Sequence, residues 1–371
     1  MAETLTIERI ELYKMSIPLI EPFITSLGWE DRAENVLVKI YTQEGITGFG
    51  ECSPYLPING ESQDTCFIVG QYFGQLLKGK NALAIEDCIQ AMDKMIYANT
   101  SIKSAFDIAL YDIASQHAGL PLYQFIGGKN DKTIVTDYTV SIDEPAKMAA
   151  DAVKILKQGY PAIKVKLGKD GETDVKRIQA IREAVGMDIP VRIDANQGWS
   201  LDEAIQTLQA LGKYDIQHCE EPIPRWQFMH LPQVKKASPI PIMADESCGD
   251  DHDAERLIYI NACDYFNIKL GKSGGIFKAL KMARMAEKAD IHLQVGAMLE
   301  SRVAMTAFAH YALCSPMIIH YDFDTALMFV EDPVTGGIQY GPNGVVTVPE
   351  TPGLGASVDD SWLKKMEKVV I

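Results

Sequence analysis

Residues 189–222 read IPVRIDANQGWSLDEAIQTLQALGKYDIQHCEEP. A short apolar run ends in Asp194. After a loop, Ser200 and Glu203 stand at the capping-box spacing that opens a helix. "SLDEAIQTLQALGKY" carries that helix, and a second apolar run then ends in Glu220. Strand, helix, strand is the unit from which parallel sheets are built, because parallel neighbours need a long crossover.

The same rhythm continues on both sides. The apolar runs are "VTDYTVS" (135–141), "PAIKVKLG" (161–168), "IPVRIDANQ" (189–197), "IQHCEEP" (216–222), "IPIMADES" (240–247), "YFNIKLG" (265–271), "HLQVGAM" (292–298) and "IIHYDFD" (318–324). "TDVKRIQAIREAVG" supplies another clear helix, with apolar residues at 175, 178, 181 and 185 and a closing Gly. The residues that end the runs are Thr139, Lys164 with Lys166, Asp194, Glu220, Asp245, Lys269, Gly296 and Asp322. Their successive spacings, counted onward from Lys166 after the second run, are 25, 28, 26, 25, 24, 27 and 26. Eight βα units at one period predict a (β/α)8-type barrel whose polar strand ends open onto a single mouth.

The flanking segments differ. "ERIELYKMSIPL" and "NVLVKIYTQEGITGFGECS" alternate apolar and polar residues, as a small antiparallel meander does. Residues 62–125 turn helical; "SIKSAFDIALYDIASQHAG" shows an apolar face at 102, 105, 106, 109, 110 and 113. The expected organisation is an α+β region over 1–128, a barrel over 129–325, and a turn-rich tail over 326–371 that packs back on the N-terminal region.

Composition narrows the partners. The 371 residues carry a net charge of -15, which argues against nucleic acid or an anionic membrane. No apolar run is long enough to span a bilayer, and "MAETLTIERIELYKM" lacks a secretory pattern. Seven scattered cysteines without a C-x-x-C pair read as reduced thiols of a cytoplasmic protein.

The chemistry lies at the mouth. Asp194, Glu220 and Asp245 end three consecutive strands, an oxygen-only set suited to a hard cation, Mg²⁺ rather than zinc. A lone Asp at a strand end is usually a cap, but three in adjacent units flanked by lysines are not. Lys166 and Lys269 lie four strands apart in an eight-strand ring, so they face each other. A nearby cation and burial would lower a lysine pKa toward acid–base use. Two bases on opposite sides of one carbon suit racemisation or epimerisation beside a carboxylate held by Mg²⁺.

This constellation resembles the muconate-lactonizing subgroup of the enolase superfamily, for which Lys or His bases with Mg²⁺ are general knowledge. The motifs that carry the resemblance are "SAFDIALYDIASQHAGLPLYQFIGG", "KVK", "RIDANQGW", "EEP", "MADES", "NIKLGKSGG" and "PGLGA", which together span nearly the whole chain. The resemblance implies a (β/α)7β barrel capped by an α+β domain, with Glu220 rather than Glu221 as ligand. It implies Lys166 and Lys269 as opposing catalytic bases and Lys164 as a holder of the substrate carboxylate. "HYDFDT" looks like the Asp-x-Asp motif of dipeptide epimerases, so Asp322 and Asp324 should hold a substrate ammonium. Thr139, Ala297 and Met298 should line the dipeptide.

The implied activity is Mg²⁺-dependent epimerisation at the C-terminal residue of an L-Ala-Xaa dipeptide, within cell-wall peptide metabolism. A muconate cycloisomerase or o-succinylbenzoate synthase is the alternative, and self-association into a homo-oligomer is left open. One position departs from the pattern. In Ala-Glu epimerases an arginine for the substrate's side-chain carboxylate follows "PF", whereas "EPFITSLGW" places Gly28 there. "LGKSGG" is no phosphate loop, because position 266 is Phe where that loop needs Gly. His218 and His292 match no ligand pattern and read as structural.

Overall fold

The fold was analysed in a computed structural model that describes residues 4–371. Residues 1–3, which begin both the expected α+β region and the stretch read as lacking a leader, lie outside the described residues.

The alternation in the N-terminal segment becomes an antiparallel sheet. Strand Ile7–Thr25 pairs with Gly28–Thr42, which pairs with Thr47–Cys52. Ser26 and Leu27 make the turn, closed by the Thr25–Gly28 pair. Gly28 has φ +153°, a conformation that favours glycine. A fourth strand, Lys368–Val370, joins from the far end of the chain and pairs with the first. Helix Thr100–His117 lies directly on the third strand. A Cβ on Gly48 or Gly50 would come within 2.2 or 1.9 Å of the carbonyls of Ala109 or Ala105, so "GFG" is what permits the contact.

That helix corrects the amphipathic expectation. It is buried on all sides from Ser101 to Ser115, acids included, because it is wedged between sheet and barrel. Its two central acids are satisfied by main chain from distant elements. Asp107 accepts from the N–H groups of Ile276 (2.5 Å) and Phe277 (3.2 Å), capping barrel helix Ile276–Ala289. Asp112 accepts from Phe49 (2.9 Å) and Leu354 (2.7 Å). Gly275 has φ +114°, and a Cβ there would lie 2.2 Å from the Asp107 carboxyl carbon. The glycines of "LGKSGG" therefore serve a turn into a helix whose cap comes from another region.

Each apolar run forms a strand. Tyr138–Val140, Ile163–Lys166, Val191–Asp194, Ile216–Glu220, Ile242–Ala244, Tyr265–Ile268, His292–Val295 and Ile318–Tyr321 pair in sequence order, all parallel. The N–H of Asp137 donates to Tyr321 O at 3.3 Å, linking the first barrel strand to the last. The predicted capping box is present, with Glu203 N–H donating to Ser200 Oγ at 3.3 Å. The register sets the site: Lys166 lies opposite Asp194, and Asp194 opposite Glu220. Charged side chains on adjacent strands are thereby brought to one level.

Two apolar cores result. One fills and surrounds the barrel; the other, with Leu12, Val38, Phe73 and Phe106, lies beneath the N-terminal sheet. His218 packs against His320 with rings tilted by 46° (centroids 5.0 Å apart) inside the barrel, and His292 lies beside Tyr265. All seven cysteines are free, and six of them are buried. Among the described residues, no helix is long and apolar enough to cross a membrane.

Candidate active site

Asp194, Glu220 and Asp245 are completely buried at three adjacent strand ends, and one oxygen of each lies within 4.8 Å of the others. Glu220 is aimed by two amides. Asn267 Nδ2 donates to its Oε1 at 2.7 Å and Gln294 Nε2 to its Oε2 at 3.2 Å. Gly296 makes room for Asn267, since a Cβ there would be 2.5 Å from Asn267 Oδ1. Glu221 points elsewhere and accepts from Asp245 N–H (2.7 Å) and Ser247 Oγ (2.9 Å), fixing the loop that carries Asp245. Both Asp245 oxygens are buried and held by ammonium groups, Oδ2 by Lys269 (2.9 Å) and Oδ1 by Lys272. Three buried carboxylates converging at adjacent strand ends, an oxygen-only set, fit Mg²⁺.

The lysines interleave with these acids. Lys166 Nζ lies 2.7 Å from Asp194. Lys164 Nζ lies 2.8 Å from Glu220, 2.7 Å from Asp322 and 3.6 Å from Asp194. Burial works against the charge of Lys164, but Asp322, Glu220 and Asp194 outweigh it and hold its pKa well above the ordinary lysine range. Lys269 behaves likewise, with Asp245 and Glu220 overcoming burial. Burial pulls Lys164 and Lys269 downward as expected, but the neighbouring carboxylates reverse it.

A cavity of about 440 Å³ lies above the carboxylates. Lys166 and Lys269 line it together with Thr139, Ala297, Met298, Asp322 and Asp324. Lys164, only 1% exposed, lies behind the wall rather than on it. At one end Asp324 Oδ2 accepts the N–H of Thr139 at 2.7 Å, while its Oδ1 is buried and unpartnered. Burial, with Asp322 and Asp137 as like charges, raises the pKa of Asp324 well above the carboxylate range. The pKa of Asp322 moves the other way: burial raises it, but Lys164 and Lys166 more than compensate. Such an end is suited to a cation.

The N-terminal sheet closes the cavity. Its first hairpin brings Phe23, Thr25, Leu27 and Gly28 onto the wall, joined by Tyr55 and Ile58. Ser26 Oγ donates to the carbonyls of Ala195 (3.1 Å) and Asn196 (2.8 Å), tying the hairpin to the loop after Asp194. The loop bearing Ala297 and Met298 is held by the same sheet. Asn35 Nδ2 donates to Leu299 O (2.8 Å), Leu299 N–H to Ser53 Oγ (3.2 Å), and Ser301 N–H to Glu51 (2.9 Å).

Sequence reasoning missed Lys272, Asn267, Gln294 and Glu51. Lys272 is buried and bonded to the carbonyls of Asn267 (3.1 Å) and Cys248 (3.3 Å) as well as to Asp245. A polar residue in the middle of an apolar run was the available signal for Asn267 and Gln294.

A capped parallel barrel whose mouth gathers three buried carboxylates beneath a cavity lined by two lysines is an arrangement suited to acid–base chemistry beside a hard cation. Residues 9–127 match the mandelate racemase / muconate lactonizing enzyme N-terminal domain, and residues 147–362 match the enolase C-terminal domain-like family. The chain belongs to this mandelate racemase / muconate lactonizing branch of the enolase superfamily. It is 58% identical to the D-Ala-D/L-Ala epimerase of Cytophaga hutchinsonii, covering 98% of this chain and 99% of that protein. It is 40% identical to the hydrophobic dipeptide epimerase of Enterococcus faecalis, covering 95% and 99%. Its fold superposes with TM-score 0.98 on the crystal structure of a Cytophaga hutchinsonii dipeptide epimerase complexed with Mg and D-Ala-L-Val. That comparison has 57% identity and covers 99% of this chain and 100% of the other.

Proposed function

We propose that this protein is a Mg²⁺-dependent dipeptide epimerase that inverts the α-carbon of the C-terminal residue. The observation that carries this reading is one cavity with Lys166 and Lys269 on its wall, the carboxylates beneath, and Asp322 and Asp324 at one end. When bound by Asp194, Glu220 and Asp245, Mg²⁺ supplies the positive charge that acidifies the Cα–H beside a carboxylate. Asp322, Asp324 and Thr139 hold the ammonium of the dipeptide. Lys164 keeps positive charge behind Glu220 and supports the carboxylate end. Lys166 moves the proton on one face of the carbon and Lys269 on the other, each in turn acid or base. Ala297 and Met298 line the peptide.

The names of the relatives support this class, and both configurations of alanine at the amino end belong in the assay. Incubation of a dipeptide panel with enzyme and Mg²⁺ in deuterated water tests the reading. At least one member should gain α-deuterium and its epimer, and complete absence of uptake across the panel would refute it. A cycloisomerase would leave Asp322 and Asp324 nothing to hold.

We also propose a capping unit of 1–128 joined by the tail 326–371, over a barrel of 129–325. The pairing of Lys368–Val370 with the first strand and a second core drawn only from residues 5–113 support that division. Seven free cysteines support a cytoplasmic setting. Light scattering reports whether the protein self-associates as a homo-oligomer.

A further inference from the structure

Strand Gly28–Thr42 lines the cavity with Trp29 and with Gly28, Glu30, Arg32 and Glu34, the last four being alternate residues on one face. Glu30 stands opposite Phe23 in the sheet register, and the Phe23 ring lies 5.8 Å from Lys166 Nζ. Arg32 stands opposite Pro18, farther from the hairpin turn, and is exposed where Glu30 is half-buried. Among the described residues no lysine or arginine pairs with Glu30. Burial together with the like charges of Glu34 and Asp31 raises its pKa, and no cation offsets them.

Gly28 offers no side chain to the cavity. The Tyr55 hydroxyl lies 3.1 Å from where a Cβ on Gly28 would stand, and the charge of Glu30 reaches that hydroxyl. This side of the cavity therefore carries an acid without an ion-pair partner, beside Phe23, whose ring borders Lys166, with the more exposed Arg32 nearer the rim.

Resting on the epimerase reading, we infer that Glu30 makes the enzyme reject dipeptides with a carboxylate on the C-terminal side chain. The substrates it favours there are neutral. A second carboxylate brought beside Glu30 meets like charge in a partly dry cavity, and the amide of the same shape does not.

Ala-Gln and Ala-Glu differ in that one group, so the ratio of their kcat/KM values for α-deuterium uptake isolates the charge. In the wild type Ala-Gln should lead by about tenfold or more, the scale of one close like-charge contact. In Glu30→Gln the ratio should shrink to within about threefold. The ratio is taken within each protein, so a partial loss of folded enzyme does not disturb it. Equal or faster exchange of Ala-Glu by the wild type overturns the inference alone. So does a ratio that Glu30→Gln leaves unchanged, or selective loss of Ala-Glu exchange in Arg32→Gln, which would show Arg32 receiving the carboxylate. If no dipeptide exchanges at all, the epimerase reading fails and this inference fails with it.

Discussion

Lys166→Ala separates the two opposed lysines. Four carboxylates (Asp194, Glu220, Asp245, Asp322) stand within ion-pair distance of four ammonium groups (Lys164, Lys166, Lys269, Lys272). The cluster is balanced, and removing Lys166 leaves it one negative charge in excess. That excess favours a divalent cation, so Mg²⁺ affinity measured by calorimetry should hold or tighten. Asp194 stays buried with Lys164 at 3.6 Å, which limits the damage to folding. Loss of a positioned acid–base group costs about 10²–10⁴ in rate, or ~3–5 kcal/mol of barrier. Epimerisation needs both faces and should fall by that whole factor. Exchange without inversion needs only one face. The epimer whose α-proton faces Lys269 should therefore still wash deuterium in, while its partner does not. Proton NMR of each pure epimer in deuterated water reads both quantities, and Lys269→Ala should show the mirror pattern. Epimerisation by Lys166→Ala within about threefold of wild type would refute the two-base reasoning. Equal loss of exchange from both epimers with Mg²⁺ affinity intact would refute it as well.

Further outcomes follow from the same geometry. Replacing Asp322 and Asp324 together by Asn should raise KM by about a hundredfold in steady-state assays, two weakened charge contacts, and by the same charge count the loss of Asp322 should weaken Mg²⁺ affinity in calorimetry. Chelating Mg²⁺ should abolish exchange yet lower the melting temperature only slightly, because the lysines already balance the carboxylates. Gly275→Ala should destabilise the fold by about 2 kcal/mol or more in urea titrations, since φ is +114° and Asp107 fills the space. Burial pushes the Asp107 carboxyl up to about 8. Its folded pKa is raised, so its contribution to stability is complete below the unfolded value of about 4 and is lost as pH rises toward about 8. The stability advantage of the wild type over Asp107→Asn should accordingly shrink across that window in denaturant titrations.

The barrel was readable because its evidence is local. Each strand is a short apolar run, each run ends in a polar residue, and the near-constant spacing survives without any repeat of residue identity. Asp194, Glu220, Asp245, Lys166 and Lys269 were visible for the same reason, since a strand end in a parallel barrel has only one mouth to face. The Thr100–His117 helix was half legible. Its apolar face announced a helix, but the burial of Asp107 and Asp112 depends on main-chain N–H groups 169 and 242 residues away. Nothing local in "LGKSGG" marks Lys272, because its partners Asp245 and Cys248 come from the preceding barrel loop.

By itself, then, the sequence determined the order of elements and the ring of charges at the strand ends, both consequences of periodicity along the chain. Tertiary structure alone decided which lysines reach the cavity, which acids stay unpaired, and where Glu30 and Tyr55 stand on the cavity wall. Those properties depend on burial and on distances between segments far apart in the chain, and no local pattern encodes them.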